Sequence, residues 1–468
     1  MRLAALLIAL GLTCQPLVAE PLLIRDARIV DVDAGTSRPG DVLVEAVTIA
    51  AVGLGLSAEG ATVLEAEGRW LIPGLWDAHV HVFSSETEPD TALLLYLLNG
   101  VTGIRDMGAL WPLEAQQTMA AKLEDGTRLG PRLIVSGAWV DAPPGSWPGM
   151  FLAGTPAEAL SVVAEISARG YPAVKAYSML SESTYLTLAE AAEAEGLPLV
   201  GHVPETIAMR TAIAAGQDAV EHWGRIIRGC AEGEDGTVRE ARFALQADDP
   251  LAALMSVMAG HTAIVLDTWE EARCRALLAE MAEAGVQVSP TFVVADFYLG
   301  LRPEPDAPRM RTLPPQVRTA WEQPDFRFQA MTDELRALAD ASIALDRQTF
   351  AMAVEAGVPI LASTDASYAN PWIFHGYSLA DELEIYVAAG MTPREALFSA
   401  TAAPPRFFEL PDQDGRIAPG RRADLVLLGA DPLADIGAVR DVEAVVVHGH
   451  LLGRAALDGM RAESEAGR

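Results

Sequence analysis

Residues 74–82, GLWDAHVHV, decide how this chain is read. Side chains on a strand repeat every two residues, so Asp77, His79 and His81 share one face. On a barrel strand that face is the interior. Two inward imidazoles at the end of a strand form half of a first-row metal site, because neutral imidazole is a preferred ligand for zinc and its neighbours.

Working outward, short apolar strands alternate with Ala-, Leu- and Glu-rich helical stretches. The predicted strands are 74–82, 101–106, 132–137, 173–177, 197–203, 219–222, 286–291 and 359–365. Helical stretches such as 155–169, 184–195, 270–284 and 393–400 separate them. Eight such units predict an α/β fold, a (β/α)8 TIM-like barrel with its working groups at the C-terminal strand ends. The segments LLIRDARIVDV, GDVLVEAVTIAAVG and ATVLEAEGRW before the barrel read as antiparallel strands, and RRADLVLLG and VEAVVVHGHLLG after it have the same texture. They predict a small β-sandwich domain built from both chain ends. The expected division is a signal peptide at 1–19, sandwich at 20–72, barrel at 73–410 and sandwich again at 411–460. Residues 295–348 are too long for a plain connection and predict a helical insertion serving as a lid.

The other strand ends add to the histidine pair. Lys175 in AVKAYS, His202 in LVGHVP, His222 in AVEHWG and Asp365 in LASTDAS each close a separate predicted strand. Only two of the 34 basic residues are lysines, Lys122 and Lys175, so a lysine kept here points to chemistry that needs a primary amine. An ammonium cannot bind a metal cation. Its neutral amine can take up carbon dioxide to give a carbamate that bridges two ions, whereas a plain Lys175 would bind a substrate carboxylate beside a single metal.

At this point the chain resembles the amidohydrolase superfamily, in the branch of imidazolonepropionase-like enzymes and metal-dependent Xaa-Pro-type dipeptidases. The likeness rests on GRWLIPGLWDAHVHVF, the ligand series through STDAS, ELEIYVAAGMTPREALFSAT and GRIAPGRRADLVLL. It implies that His79, His81 and Asp365 bind the more buried of two divalent ions, that Lys175 bridges as N6-carboxylysine, and that His202 and His222 bind the second. The ligand set suits Zn2+, and also Mn2+, Co2+ or Fe2+. A metal-bridging hydroxide would then attack the scissile carbonyl, with Asp365 as general base and then general acid.

Asp77 is expected to hold a ligand or nearby backbone in place. Tyr177, inward near the mouth, either packs or hydrogen-bonds the substrate carbonyl. Arg225 and Arg228 either fork a substrate carboxylate or pair with surface acids. His375 is expected to line the pocket, although Ser378-Leu379 is followed by Ala380 where the related pattern has a histidine. His261 takes no role in this reading, and His448 and His450 read as β-module surface.

With 34 Lys and Arg against 64 Asp and Glu, the formal charge is −30, which excludes nucleic acid as the default partner. One Arg, an apolar run from Leu3 to Leu12 and a small residue at Ala19 read as a secretory signal, with a lipoprotein anchor at Cys14 as the alternative. This predicts a periplasmic or extracellular protein without membrane insertion once the signal is removed. Cys230 and Cys274 either pair or remain buried thiols. The predicted function is hydrolysis of an amide or peptide bond in a small substrate: a dipeptide, an N-acyl amino acid or a cyclic amide. The same site would suit a phosphotriester or lactone, and a non-catalytic binding protein on this fold is a further alternative. One sequence leaves a homo-oligomer open.

Overall fold

The structure, a computed structural model, describes residues 21–108, 110–298, 307–323, 332–413 and 415–465. The predicted signal peptide, 1–19, lies outside the described residues, as do parts of the predicted lid.

Five strands come first: β1 (Leu22–Asp31), β2 (Thr36–Glu45), β3 (Thr48–Gly53), β4 (Thr62–Glu65) and β5 (Trp70–Pro73). The central strands are β6 (Leu75–Val80), β7 (Val101–Asp106), β8 (Arg132–Val135), β9 (Ala138–Asp141), β10 (Phe151–Leu152), β11 (Val174–Ala176), β12 (Leu199–Gly201), β13 (Ala219–Glu221) and β14 (Gln287–Ser289). After them come β15 (Leu425–Leu428), β16 (Val442–Val447) and β17 (His450–Gly453).

Both chain ends do meet, in one eight-stranded sheet of order β17-β16-β15-β5-β1-β2-β3 with β4 on β1. It is mixed where antiparallel strands were expected. β1 runs parallel to β4 along Leu22–Arg25 and parallel to β5 at Arg28 and Ile29. The switch falls at a bulge next to Asp26, whose φ is +56° and whose N–H donates to Asp41 Oδ1 at 2.9 Å. Alternate residues of β15 feed two cores: Leu425 and Leu427 pack with β1 and β2, while Val426 and Leu428 join the large core around the parallel strands.

Pairing among the central strands is parallel throughout, in three ladders: β6-β7-β8, β10-β9-β11-β12 and β13-β14. Further backbone bonds tie these ladders and the 359–366 segment together. Asp218 N donates to Leu199 O at 2.8 Å, Leu361 N to Val288 O at 2.8 Å, and Ala78 N to Ala362 O at 2.8 Å. This α/β arrangement is consistent with a TIM-like barrel. The predicted strand 359–365 contributes isolated bridges, Val288 to Ile360 and Val80 to Ala366, instead of a full ladder. The predicted strand 132–137 ends at Val135, and Gly137 lies close against the backbone of Gly108.

One helix illustrates how the sequence sets a start and a stop. Helix Pro156–Arg169 starts from a Thr155 and Glu158 capping box, ends on Gly170 at φ 77°, and buries Ala159, Val162, Val163 and Ile166. That spacing of three and four residues is one helical face. The insertion is helical where described, over Phe292–Tyr298, Ala307–Arg311, Pro315–Glu322 and the start of Asp333–Ala356. Helix Pro250–Thr268, within the loop after β13, is long and apolar enough to cross a membrane by length and composition, with an 18-residue window of mean hydropathy 1.4. His261 lies inside this helix, not at its end.

Cys230 and Cys274 form a disulfide across a sequence separation of 44. Closing a loop of that length restricts the unfolded chain by about 4 kcal/mol in the chain-entropy account. Cys230→Ser is expected to lower unfolding free energy by about 2–5 kcal/mol in urea titrations. An unchanged midpoint would mean that the bridge adds no stability.

Candidate metal centre

Strand β6 is buried along its whole length, so a polar side chain on it must find partners inside the protein. Asp77 accepts from Thr364 Oγ1 at 2.6 Å and Thr364 N at 3.1 Å, which fixes the backbone just before Asp365. Burial raises the Asp77 pKa to about 7. Next on the same face, His79 directs Nδ1 to Glu221 Oε2 at 2.7 Å, and His81 directs Nδ1 to Gly108 O at 2.8 Å.

Those two bonds assign the rings. A carbonyl only accepts, so His81 Nδ1 carries the proton and, in the neutral ring, Nε2 is left as a lone pair. The Glu221 carboxylate does the same for His79, and burial holds the His79 pKa well below the ordinary value. The two Nε2 atoms then lie 3.3 Å apart, and Asp365 Oδ1 is 3.4 Å from the first and 3.2 Å from the second. Three electron-pair donors converging without a proton among them suit a cation at their centre. Potential ligand atoms of His79, His222 and Asp365 all lie within 4.8 Å of one another, so the donor set fits a divalent metal.

The other two imidazoles are held by hydroxyls. His202 Nδ1 bonds Ser178 Oγ at 2.9 Å, and His222 Nδ1 bonds Thr291 Oγ1 at 2.8 Å. The ring centroids of His202 and His222 are 4.9 Å apart, and those of His79 and His222 are 5.1 Å apart. Burial lowers the pKa of both His202 and His222. Around Asp365, burial alone would raise the pKa, yet His79, His81 and His222 hold the carboxyl below the usual range. His222, Thr291 and Asp365 have φ of 71°, 52° and 59°. Backbone so disfavoured for side-chain-bearing residues costs roughly 1–3 kcal/mol each and recurs where a site over-determines its geometry.

Lys175 sits between β9 and β12, 1 % exposed, with Nζ 5.3 Å from the Trp139 ring centroid and 5.8 Å from that of Tyr177. Burial lowers its pKa to about 8, so part of the amine is neutral in mildly alkaline solution. Trp139 reaches this place because Gly108 has no side chain. A Cβ there would fall 1.1 Å from Trp139 Nε1, at a φ of 146°.

A cavity of about 480 Å3 opens over these groups, lined by His81, Lys175, His202, His222 and Asp365. Tyr177 also lines it, its ring stacked on His202 at 4.1 Å, and its Oη accepts from Trp147 Nε1 at 2.7 Å. The three expected substrate contacts beyond Tyr177 lie elsewhere. His375 is buried away from the cavity, with Nε2 2.8 Å from Glu88 Oε1 and Nδ1 2.9 Å from Tyr96 Oη, so both nitrogens are engaged. Arg225 and Arg228 both pair with Glu205, a buried acid instead of a surface one, and Arg228 also donates to Ile207 O at 2.9 Å. His448 is likewise buried, in the turn before β17, where Arg422 Nη2 donates to its Nδ1 at 2.6 Å.

Residues 70–452 match the amidohydrolase family. The chain belongs to that family. An adenine deaminase of Desulfatibacillum aliphaticivorans is 37% identical over 83 residues, which is 18% of this chain and 14% of that protein. The chain therefore matches only a small part of that relative's length. Among solved structures, a bottromycin amidohydrolase superposes with a TM-score of 0.69 at 23% identity, over 95% of this chain and 89% of the other. A Xaa-Pro dipeptidase with methionine bound in its active site gives 0.63 at 19% identity, over 93% of this chain and all (100%) of the other. At these identities the likeness is one of fold.

Sequence reasoning missed Glu221, Ser178 and Thr291, which orient the rings. A signal for one of them was present: Arg105 is a charge inside the apolar strand β7, and a buried charge needs a partner. Arg105 Nη2 donates to Glu221 Oε1 at 2.7 Å, which holds the carboxylate against His79. Glu221→Gln is expected to weaken metal binding about 10–100-fold in competition with a chromogenic chelator. Unchanged affinity would remove Glu221 from the site's support.

Proposed function

We propose that this amidohydrolase cleaves an amide or peptide bond in a small substrate, using two divalent ions held by His79, His81, Asp365, Lys175 as its carbamate, His202 and His222. The observation that carries the reading is the convergence of His79 Nε2, His81 Nε2 and Asp365 Oδ1 within 3.4 Å, beneath an open cavity. The rarity of lysine and the burial of Lys175 beside these groups support the carbamate. Zinc, manganese, cobalt or ferrous iron bound there would supply positive charge that polarises a carbonyl oxygen and acidifies water.

The chain's own groups supply the rest. Asp365 takes the proton of the attacking water and returns it to the leaving nitrogen, so that amide and water become carboxylic acid and amine. Tyr177 Oη accepts from Trp147, and the phenol proton is the one it can give to an oxygen that gains charge as the carbonyl is attacked. Glu221 keeps His79 in the tautomer whose Nε2 carries the lone pair, and Ser178 and Thr291 hold the rings of His202 and His222 in orientation. The reading includes closure of the parallel strands into a (β/α)8 barrel, with the chain-end sheet as a separate β domain. Export is part of it too, supported by the N-terminal segment and by a disulfide that persists in an oxidising compartment.

The test is a panel of dipeptides, N-acyl amino acids, cyclic amides, lactones and phosphotriesters. The reading predicts turnover of an amide that is lost on chelation and restored by zinc. Turnover of lactones or phosphotriesters alone would replace it.

A further inference from the structure

The walls of the cavity are more informative about substrate than its floor. Beyond the ligand cluster the lining includes the aromatic side chains of Trp139, Trp147, Tyr177 and Trp223, with Ser84, Ser367 and Asn370 among its uncharged polar residues. The Trp139 and Tyr177 rings stack nearly parallel, with centroids 6.1 Å apart at 14°, and Trp147 Nε1 donates to Tyr177 Oη at 2.7 Å, so three aromatic side chains are grouped at the cavity. Trp147 is 49% exposed at the rim, where its apolar face has no full cover. Aromatic walls of this kind reward burial of a flat apolar group.

Charge points the same way. Among the described residues that line the cavity, the charged groups are Lys175 and Asp365, with the imidazoles, and all of them belong to the ligand cluster. The two arginines of the loop after β13 are turned to Glu205. Away from the metal ligands, a substrate carboxylate would therefore meet no cationic side chain among the described lining residues, on a chain whose formal charge is −30. A carboxylate held against those walls, out of reach of the metal ligands, lacks a cationic partner, and a field of like sign slows its approach.

Resting on the amide-hydrolase reading above, we infer that the substrate is an uncharged amide carrying an aromatic group, which lies against the Trp139, Trp147 and Tyr177 wall. A free dipeptide or N-acyl amino acid, with its carboxylate, is the poorer substrate.

The test compares benzoate release from N-benzoylphenylalaninamide and from N-benzoylphenylalanine by the metal-loaded protein. The inference predicts kcat/KM at least about tenfold higher for the uncharged compound. Equal or better cleavage of the carboxylate overturns the inference and leaves the amide-hydrolase reading in place. No benzoate from either overturns the inference, while turnover in the wider amide panel decides the amide-hydrolase reading. Trp147→Ala, a change at the rim, separates the aromatic wall from the charge argument. It is expected to lower the kcat/KM ratio of the benzoyl over the acetyl compound about tenfold, mainly through KM. An unchanged ratio overturns the placement of the aromatic group.

Discussion

Asp365→Asn is expected to lower kcat about 10³-fold or more while leaving the fold in place, because it removes the one carboxylate that both contacts the two imidazoles and can carry a proton. Asn is nearly isosteric, so the neighbouring bonds that position residue 365, Asp365 N to His79 O at 2.8 Å and Asn370 Nδ2 to Asp365 O at 2.8 Å, do not depend on the change. What is lost is charge and basicity at Oδ1, 3.2 Å from His81 Nε2. An amide in that place neither balances a cation as well nor takes a proton from water. Steady-state kinetics with circular dichroism as the fold control check this. A variant with kcat within tenfold of the wild type would show that another group moves the proton.

The second large effect is expected at Lys175. In Lys175→Arg the side chain stays cationic and cannot form a carbamate, since the guanidinium is neither neutral nor reactive toward carbon dioxide at accessible pH. It also lacks room. Gly201, at φ 108°, faces Lys175 so closely that a Cβ on it would lie 2.8 Å from Lys175 Cγ. Bound metal should fall from two ions per chain to one or fewer, and kcat by about 10³-fold or more, given the several kcal/mol that a metal supplies to such a reaction. Lys175→Ala separates crowding from chemistry, because it leaves space and no bridge, and it should lose metal to the same extent. Retention of two ions in both variants would exclude lysine as a ligand.

The part of this site that could be read from sequence is the part set by local geometry. Strand alternation put His79 and His81 on one face, and the break from apolar strand to polar loop marked His202, His222 and Asp365. The scarcity of lysine marked Lys175. Partners set by which strands become neighbours were not readable. Glu221 orients His79 across the fold, a sequence separation of 142, and no local pattern announces that pairing. His375 shows the converse. Its place after the last ligand suggested the cavity, yet Glu88 and Tyr96 on the helix after β6 take both its nitrogens. Arg225 and Arg228 were similarly claimed by Glu205. In the chain-end sheet, alternation marked the strands but not their direction: β4 and β5 pair parallel with β1 on either side of the bulge at Asp26, and direction is set by which strands become neighbours.

The most direct test of the central claim is metal content by inductively coupled plasma mass spectrometry, on protein purified without chelator and with bicarbonate present. About two transition-metal ions per chain are expected. One ion or none would contradict the bridged pair and leave Lys175 an ordinary ammonium beside a single metal or an inactive site.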